Sequence, residues 1–146
     1  MLKVRLVADE TDMETCREIR HKVFIEEQGV DPKEEYDDLD PVCAHFLASV
    51  DGVPAGTARL FFPPDILYAK AQRVATLYSF RGHGVGRALM FALEDHAHAS
   101  GVCEVRLAAQ VSALAFYERL GYNAFGDVFM DANIEHRNMT KYIRKA

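Results

Sequence analysis

The sequence predicts a mixed α/β chain, one sheet covered by helices, and three observations carry that prediction. Val85, Ala88, Leu89, Ala92, Leu93 and His96 recur at the spacing of one helical face, the strongest periodic signal in the chain. Several short segments alternate apolar with polar side chains or are rich in β-compatible residues. Glycines and prolines fall between these segments and cut them to the lengths of single elements.

Taken in order, Val4, Leu6 and Ala8 alternate with Lys3, Arg5 and Val7 as a half-buried strand. Residues Asp9 to Thr11 offer caps for a helix over Asp12 to Glu27, which Gln28-Gly29-Val30-Asp31-Pro32 stops. The acidic run Glu34 to Asp40 follows, read as a solvated loop or as an acidic mouth attracting a cation. Ala44 to Val50 and Val53 to Phe62 form a hairpin about Asp51-Gly52, ended by Pro63-Pro64. A strand spans Lys70 to Leu77, and the periodic helix then runs to a stop at Ser100-Gly101. Val105, Leu107 and Ala109 mark another strand, and Ala113, Phe116, Tyr117 and Leu120 a second helical stripe before Gly121. Tyr122 to Phe125 and His136 to Ile143 close the sheet around a turn at Asp131-Ala132-Asn133. The 146 residues are expected to form a single domain, with no repeat or linker.

Composition removes several classes of function. Seventeen basic against 22 acidic side chains leave a net charge of −5, so a nonspecific grip on nucleic-acid backbone is not expected. No apolar run is long enough to cross a bilayer, and the start MLKVRLVADE has no secretory core, so no membrane partner is expected. Cys16, Cys43 and Cys103 are odd in number and scattered, which fits a reducing, cytoplasmic location. The six histidines show no metal-ligating pairing, and no metal is assigned.

The most informative segment joins the fourth strand to the long helix: Ser79-Phe80-Arg81-Gly82-His83-Gly84-Val85-Gly86-Arg87. The first turn of a helix carries amides without internal partners, and its dipole favours an anion. Glycines at 82, 84 and 86 let the main chain approach a phosphate, and Arg81 and Arg87 add charged donors. Gly-Lys-Ser/Thr is missing, and the spacing G-x-G-x-G differs from the dinucleotide fingerprint G-x-G-x-x-G.

Arg81-x-x-Gly84-x-Gly86 resembles the R/Q-x-x-G-x-G/A loop of the GCN5-related N-acetyltransferase (GNAT) superfamily, and Gln110 to Tyr122 is similar to its N-x-x-A-x-x-x-Y-x-x-x-G-F/Y block, with Gln110 in place of asparagine. His21 to Val30 and Asp131 to His136 resemble the small bacterial subgroup typified by ElaA and YjcF. The resemblance implies a mostly antiparallel central sheet with helices on both faces and splayed fourth and fifth strands. It implies acetyl-CoA as the acyl donor. Val74, Ala75 and Thr76 would pair with the pantetheine arm, Arg81, Gly82, His83, Gly84, Val85, Gly86 and Arg87 would hold the pyrophosphate, and Gln110 and Tyr117 would border the cofactor.

The implied reaction is direct attack of an amine, on a small molecule or a peptide, upon the thioester in a ternary complex. An alkyl ammonium must first lose a proton, the intermediate is an oxyanion, and the departing thiolate takes a proton. Tyr117 matches the family's proton donor, a backbone amide near Ala75 the oxyanion donor. Glu27, then His136, are the candidate bases, with His45 behind them. Two alternatives stand. Arg20-x-x-Val23-Phe24, Asp37 to Asp40 and Arg59-Leu60 resemble acyl-homoserine lactone synthases, although this chain has no tryptophan where theirs falls, at about Val30. A non-catalytic acyl-CoA-binding module is the other. A homodimer rests on the resemblance alone.

Overall fold

The computed structural model describes residues 1–143. Its strands are β1 (Leu2–Leu6), β2 (Ala44–Val50), β3 (Val53–Phe61), β4 (Ala69–Thr76), β5 (Glu104–Gln110), β6 (Asn123–Asp131) and β7 (Ile134–Tyr142), and its α-helices are α1 (Glu10–Arg20), α2 (Pro32–Glu35), α3 (Val85–Ala99) and α4 (Leu114–Arg119). The strands form one sheet in the order β1-β2-β3-β4-β5-β7-β6. Every neighbouring pair is antiparallel except β4 and β5, which run parallel. The mixed, mostly antiparallel sheet is as the sequence predicts.

Pleat alternation puts a helix on each face. Phe46 and Ala48 of β2 point into the larger core beneath α3, with Leu60, Leu89, Leu93 and Leu107. Leu47 between them points the other way, into a smaller cluster with Met13, Cys16, Ile19 and Val23. The β2–β3 turn has positive φ at both Asp51 and Gly52, the geometry that matches strand twist in a two-residue hairpin.

Three elements differ from expectation. The first helix is real, and Asp9 caps it by accepting the Asp12 N–H at 2.8 Å. Its last two turns, His21–Glu27, widen into a π-helix, with the Gln28 N–H bonding the Val23 carbonyl at 3.1 Å. Pro32 does not merely stop the chain. It opens α2, where its missing N–H costs nothing and Asp31 caps the Lys33 amide at 2.9 Å. β6 continues well beyond Phe125 through a bulge at Gly126, whose φ of 75° breaks the alternation that ended the predicted strand.

The feature that positions the site is in β4. Thr57 pairs with Ala75 but Arg59 pairs with Gln72, so β4 carries one extra residue across from β3. The bulge falls at Arg73, a non-glycine at φ 54°. Beyond it β4 turns away from β5, and the two strands share only the pairs Ala69–Val105 and Lys70–Arg106. The sheet is split open along the rest of β4 and β5.

Candidate active site

A cleft of about 1060 Å³ fills this split. One wall is β4 with Val74, Ala75 and Thr76, the other β5 and α4 with Gln110, Phe116 and Tyr117. The start of α3 closes one end with Arg81, Gly82, Gly84, Val85, Gly86 and Arg87, and His136 of β7 also lines the cleft. All these residues are thereby brought together. Two others stand apart: His83 is exposed on the loop, and Glu27 lies outside the cleft lining.

The glycines of the loop have two different reasons. Gly82 and Gly84 have φ of 82° and 81° with open space where a Cβ would sit, so conformation demands them. Gly86 is helical, and a Cβ there would meet Phe116 Cζ at 3.0 Å, so close packing of α3 on α4 demands it. Gly84 caps α3 in the left-handed region, and the first helical bond runs from the Ala88 N–H to the Gly84 carbonyl at 3.0 Å. The amides of Val85, Gly86 and Arg87 therefore have no acceptor within the helix, and they sit at its positive end.

Arg81 is not free to reach an anion as an isolated cation. Its Nη2 donates to Glu27 Oε1 at 2.7 Å and its Nε to the Thr76 carbonyl at 3.0 Å. This ties the loop to the end of the π-helix and to the end of β4. The Arg81 guanidinium also holds the Glu27 carboxyl below its ordinary range. A carboxylate so stabilised is a weaker base, which counts against Glu27 in that role.

Tyr117 is 9% exposed, and burial pushes its phenol up to about 12. Its ring packs edge-on against Phe116 and Tyr122, with centroids 4.9 and 5.9 Å away. Among the described residues nothing accepts its hydroxyl proton, whereas the Tyr122 hydroxyl donates to Glu94 at 2.7 Å. A proton-bearing, unpaired hydroxyl beside a cleft is suited to give its proton to a ligand.

His136 is 8% exposed, and its Nδ1 lies 2.7 Å from the Ile134 carbonyl. For that contact to be a hydrogen bond Nδ1 must carry a hydrogen, so in the neutral ring the lone pair lies on Nε2. His45, by contrast, spends Nε2 on the Asp40 carbonyl at 2.8 Å, and burial lowers its pKa. It does not reach the cleft.

Sequence reasoning missed two groups of residues. Gln28 accepts the Gln110 amide at 2.9 Å, joining the π-helix to the end of β5. The acidic run is not simply a solvated loop: Glu34 and Asp38 are exposed, but Glu35, Asp37 and Asp40 turn inward onto three arginines. Arg20 and Arg59 are each 1% exposed and Glu35 2%. Arg20 donates to Glu35 at 2.7 Å and Asp40 at 2.9 Å, and Arg59 to Asp37 and Asp40 at 2.8 Å. Arg73, at the bulge, donates to Glu35 at 2.8 Å and to the Glu34 carbonyl at 3.1 Å. The run of acids was the one local signal; its partners Arg20, Arg59 and Arg73 are scattered along the chain, so only tertiary contact reveals the pairing.

A sheet of this order, opened between its parallel strands beside a glycine-led helix, has the fold of the acyl-CoA N-acyltransferases. The chain belongs to the acetyltransferase (GNAT) family, whose model matches residues 13–122. It is 37% identical over 143 residues to a Bacillus subtilis (strain 168) protein described as an acetyltransferase, covering 96% of each chain. It is 33% identical over 141 residues to YjcF of the same organism, an uncharacterized N-acetyltransferase, covering 96% of this chain and 99% of that one. An acyl-CoA N-acyltransferase from Pseudomonas aeruginosa superposes with a TM-score of 0.84 at 27% identity, covering 97% of this chain and 99% of that one. No helix among the described residues is long and apolar enough to cross a membrane.

Proposed function

We propose that this chain is an N-acetyltransferase that moves the acetyl group of acetyl-CoA to a primary amine by direct attack in a ternary complex. One observation carries the reading: a strand edge with unsatisfied peptide groups and a glycine-led helix N-terminus border the same cleft. The exposed edge of β4 at Val74, Ala75 and Thr76 suits the amides of a pantetheine arm. The amides from Gly82 to Arg87 suit a diphosphate, with the Arg87 side chain adding charge. Arg81 braces the loop through Glu27, so its part is to hold the amides in place.

Proton flow then follows from the side chains. His136 Nε2 takes a proton from the substrate ammonium, and the free amine attacks the thioester carbon. A backbone amide near Ala75 stabilises the oxyanion while the C–S bond breaks. The Tyr117 hydroxyl gives its proton to the departing sulfur, and the second proton shed by the nitrogen as the amide forms restores the phenol. We assign the base to His136 over Glu27 because His136 lines the cleft, whereas Glu27 lies outside it and its carboxylate is paired with Arg81. The free cysteines Cys16, Cys43 and Cys103 support a cytoplasmic setting.

The test is a melting curve with and without acetyl-CoA, followed by thiol release. At a hundredfold its Kd the donor should add about 2.7 kcal/mol of stability. Thiol should appear only when an amine is present, with no acetylated protein detected by mass spectrometry in its absence. No melting shift overturns the donor site, and accumulation of acetyl-protein overturns direct attack.

A further inference from the structure

Beyond the donor site, the cleft extends to the vertex where β4 and β5 part, and its chemistry there is cationic. On β5 the buried residues are Val105, Leu107 and Ala109, so Arg106 projects from the opposite face. Lys70 is its partner in the last parallel rung, and both line the cleft with Tyr68, Phe125 and Asn138. Like charges directly opposite on neighbouring strands oppose pairing, and strands lie only about 4.8 Å apart. Their own fold neutralises these cations only in part, through one ion pair between Arg106 and Glu104. Arg106 gives Nε to Glu104 at 2.7 Å, which leaves its two outer nitrogens without acceptors among the described residues. Its guanidinium carbon is 4.1 Å from the Tyr68 ring centroid and 5.5 Å from that of Phe125, which fixes the plane of the fork. Lys70 forms no ion pair among the described residues. Of the carboxylates that line the cleft, Glu35 is taken by Arg20 and Arg73, and Glu34 and Asp131 are exposed.

We infer that Lys70 and Arg106 form a carboxylate subsite, so that the acceptor is an amine that also carries a carboxylate, an amino acid or a close analogue. This rests on the acetyl-transfer reading above. The planar fork with an ammonium beside it matches a carboxylate, whose two oxygens bridge the repelling pair. The aromatic flanks Tyr68 and Phe125 would cover the apolar part of such a substrate. A cationic polyamine is disfavoured at the same place.

The experiment measures thiol release with glycine, L-phenylalanine, 4-aminobutanoate and 6-aminohexanoate, each beside its own primary amide, with spermidine and O-phosphoethanolamine as further arms. At least one acid should exceed its amide by roughly tenfold to a hundredfold in kcat/KM, the worth of a charged hydrogen bond. In Lys70→Gln and Arg106→Gln that ratio should fall towards one, and a ratio is insensitive to a general loss of active protein. Acids and amides used equally well, spermidine or O-phosphoethanolamine preferred, or a ratio unchanged in Lys70→Gln would each overturn the subsite. Those outcomes leave the donor site intact. A chain that acetyl-CoA does not stabilise fails at the earlier step instead, and the two failures are told apart by the melting curve.

Discussion

Replacing Tyr117 with phenylalanine separates chemistry from packing at the residue on which the proposed proton flow ends. The ring is 9% exposed and its edge-on contacts with Phe116 and Tyr122 survive in the variant. The hydroxyl that is lost has no acceptor among the described residues, so no intramolecular hydrogen bond is broken. The hydroxyl borders the cleft and is not among the buried unsatisfied groups of the described residues, so the variant should be about as stable as the parent. With the phenol pushed up to about 12, the parent keeps its proton throughout the pH range 6 to 9, ready for the leaving sulfur. Removing a general acid should then lower kcat by roughly 10²–10⁴-fold, or about 3–5 kcal/mol of barrier, while donor affinity stays nearly constant. Thiol release at saturating donor and amine measures kcat, and a single-turnover experiment guards against slow product release. Parent-like single-turnover rates across that pH range would refute the reasoning and return Tyr117 to a packing role. So would a loss of activity matched by a loss of folded protein.

Glu35→Gln should destabilise the fold by about 3–5 kcal/mol, because it strips a buried carboxylate from Arg20 and Arg73, and chemical denaturation measures it. Gly86→Ala sets overpacking against Phe116, at about 1–3 kcal/mol, against a helix-propensity gain of about 1 kcal/mol. Its melting temperature should therefore change little while KM for acetyl-CoA rises, as Phe116 is displaced beside the cleft. The Asp37 carboxyl, held down to about 2 from 3.8 chiefly by its hydrogen bond with Arg59, contributes stability that is complete above its ordinary pKa and is lost as pH falls through about 2. Melting temperature should accordingly drop between pH 4 and pH 2, and the drop should be shallower in Asp37→Asn.

The residues that carried the sequence reading are local ones. A helix start after glycines, a hairpin at Asp51-Gly52 and an apolar stripe over residues 85–96 are each written within a dozen positions, and each appears as expected. What was not legible depends on contacts distant in sequence. Arg73 adopts positive φ without being glycine or asparagine, and its anchors are Glu35 and Asp37, some 36 to 38 residues away. The acidic run looked solvated because its partners Arg20, Arg59 and Arg73 are scattered over three elements. Gly86 looked like a phosphate glycine because spacing cannot distinguish room for a ligand from room for Phe116.

These hidden contacts converge on the one feature the function needs. Parting two strands leaves peptide groups without ladder partners, an arrangement that unrestrained chains avoid by closing the sheet. Here the bulge prevents closure, and the bulge is held by the Arg73 side chain reaching into a buried cluster of opposite charges. Such clusters contribute little net stability once desolvation is counted, since a well-packed apolar substitute often does as well. Their directional hydrogen bonds instead restrict the backbone to one geometry. Arg20 comes from α1, Glu35 from α2, Arg59 from β3 and Arg73 from β4, so the cluster fixes four elements about the vertex of the cleft. Seen this way, the acidic run's part is to keep β4 bent, and the proposed carboxylate subsite rests on Lys70 and on the outer nitrogens that Arg106 leaves beyond its ion pair with Glu104.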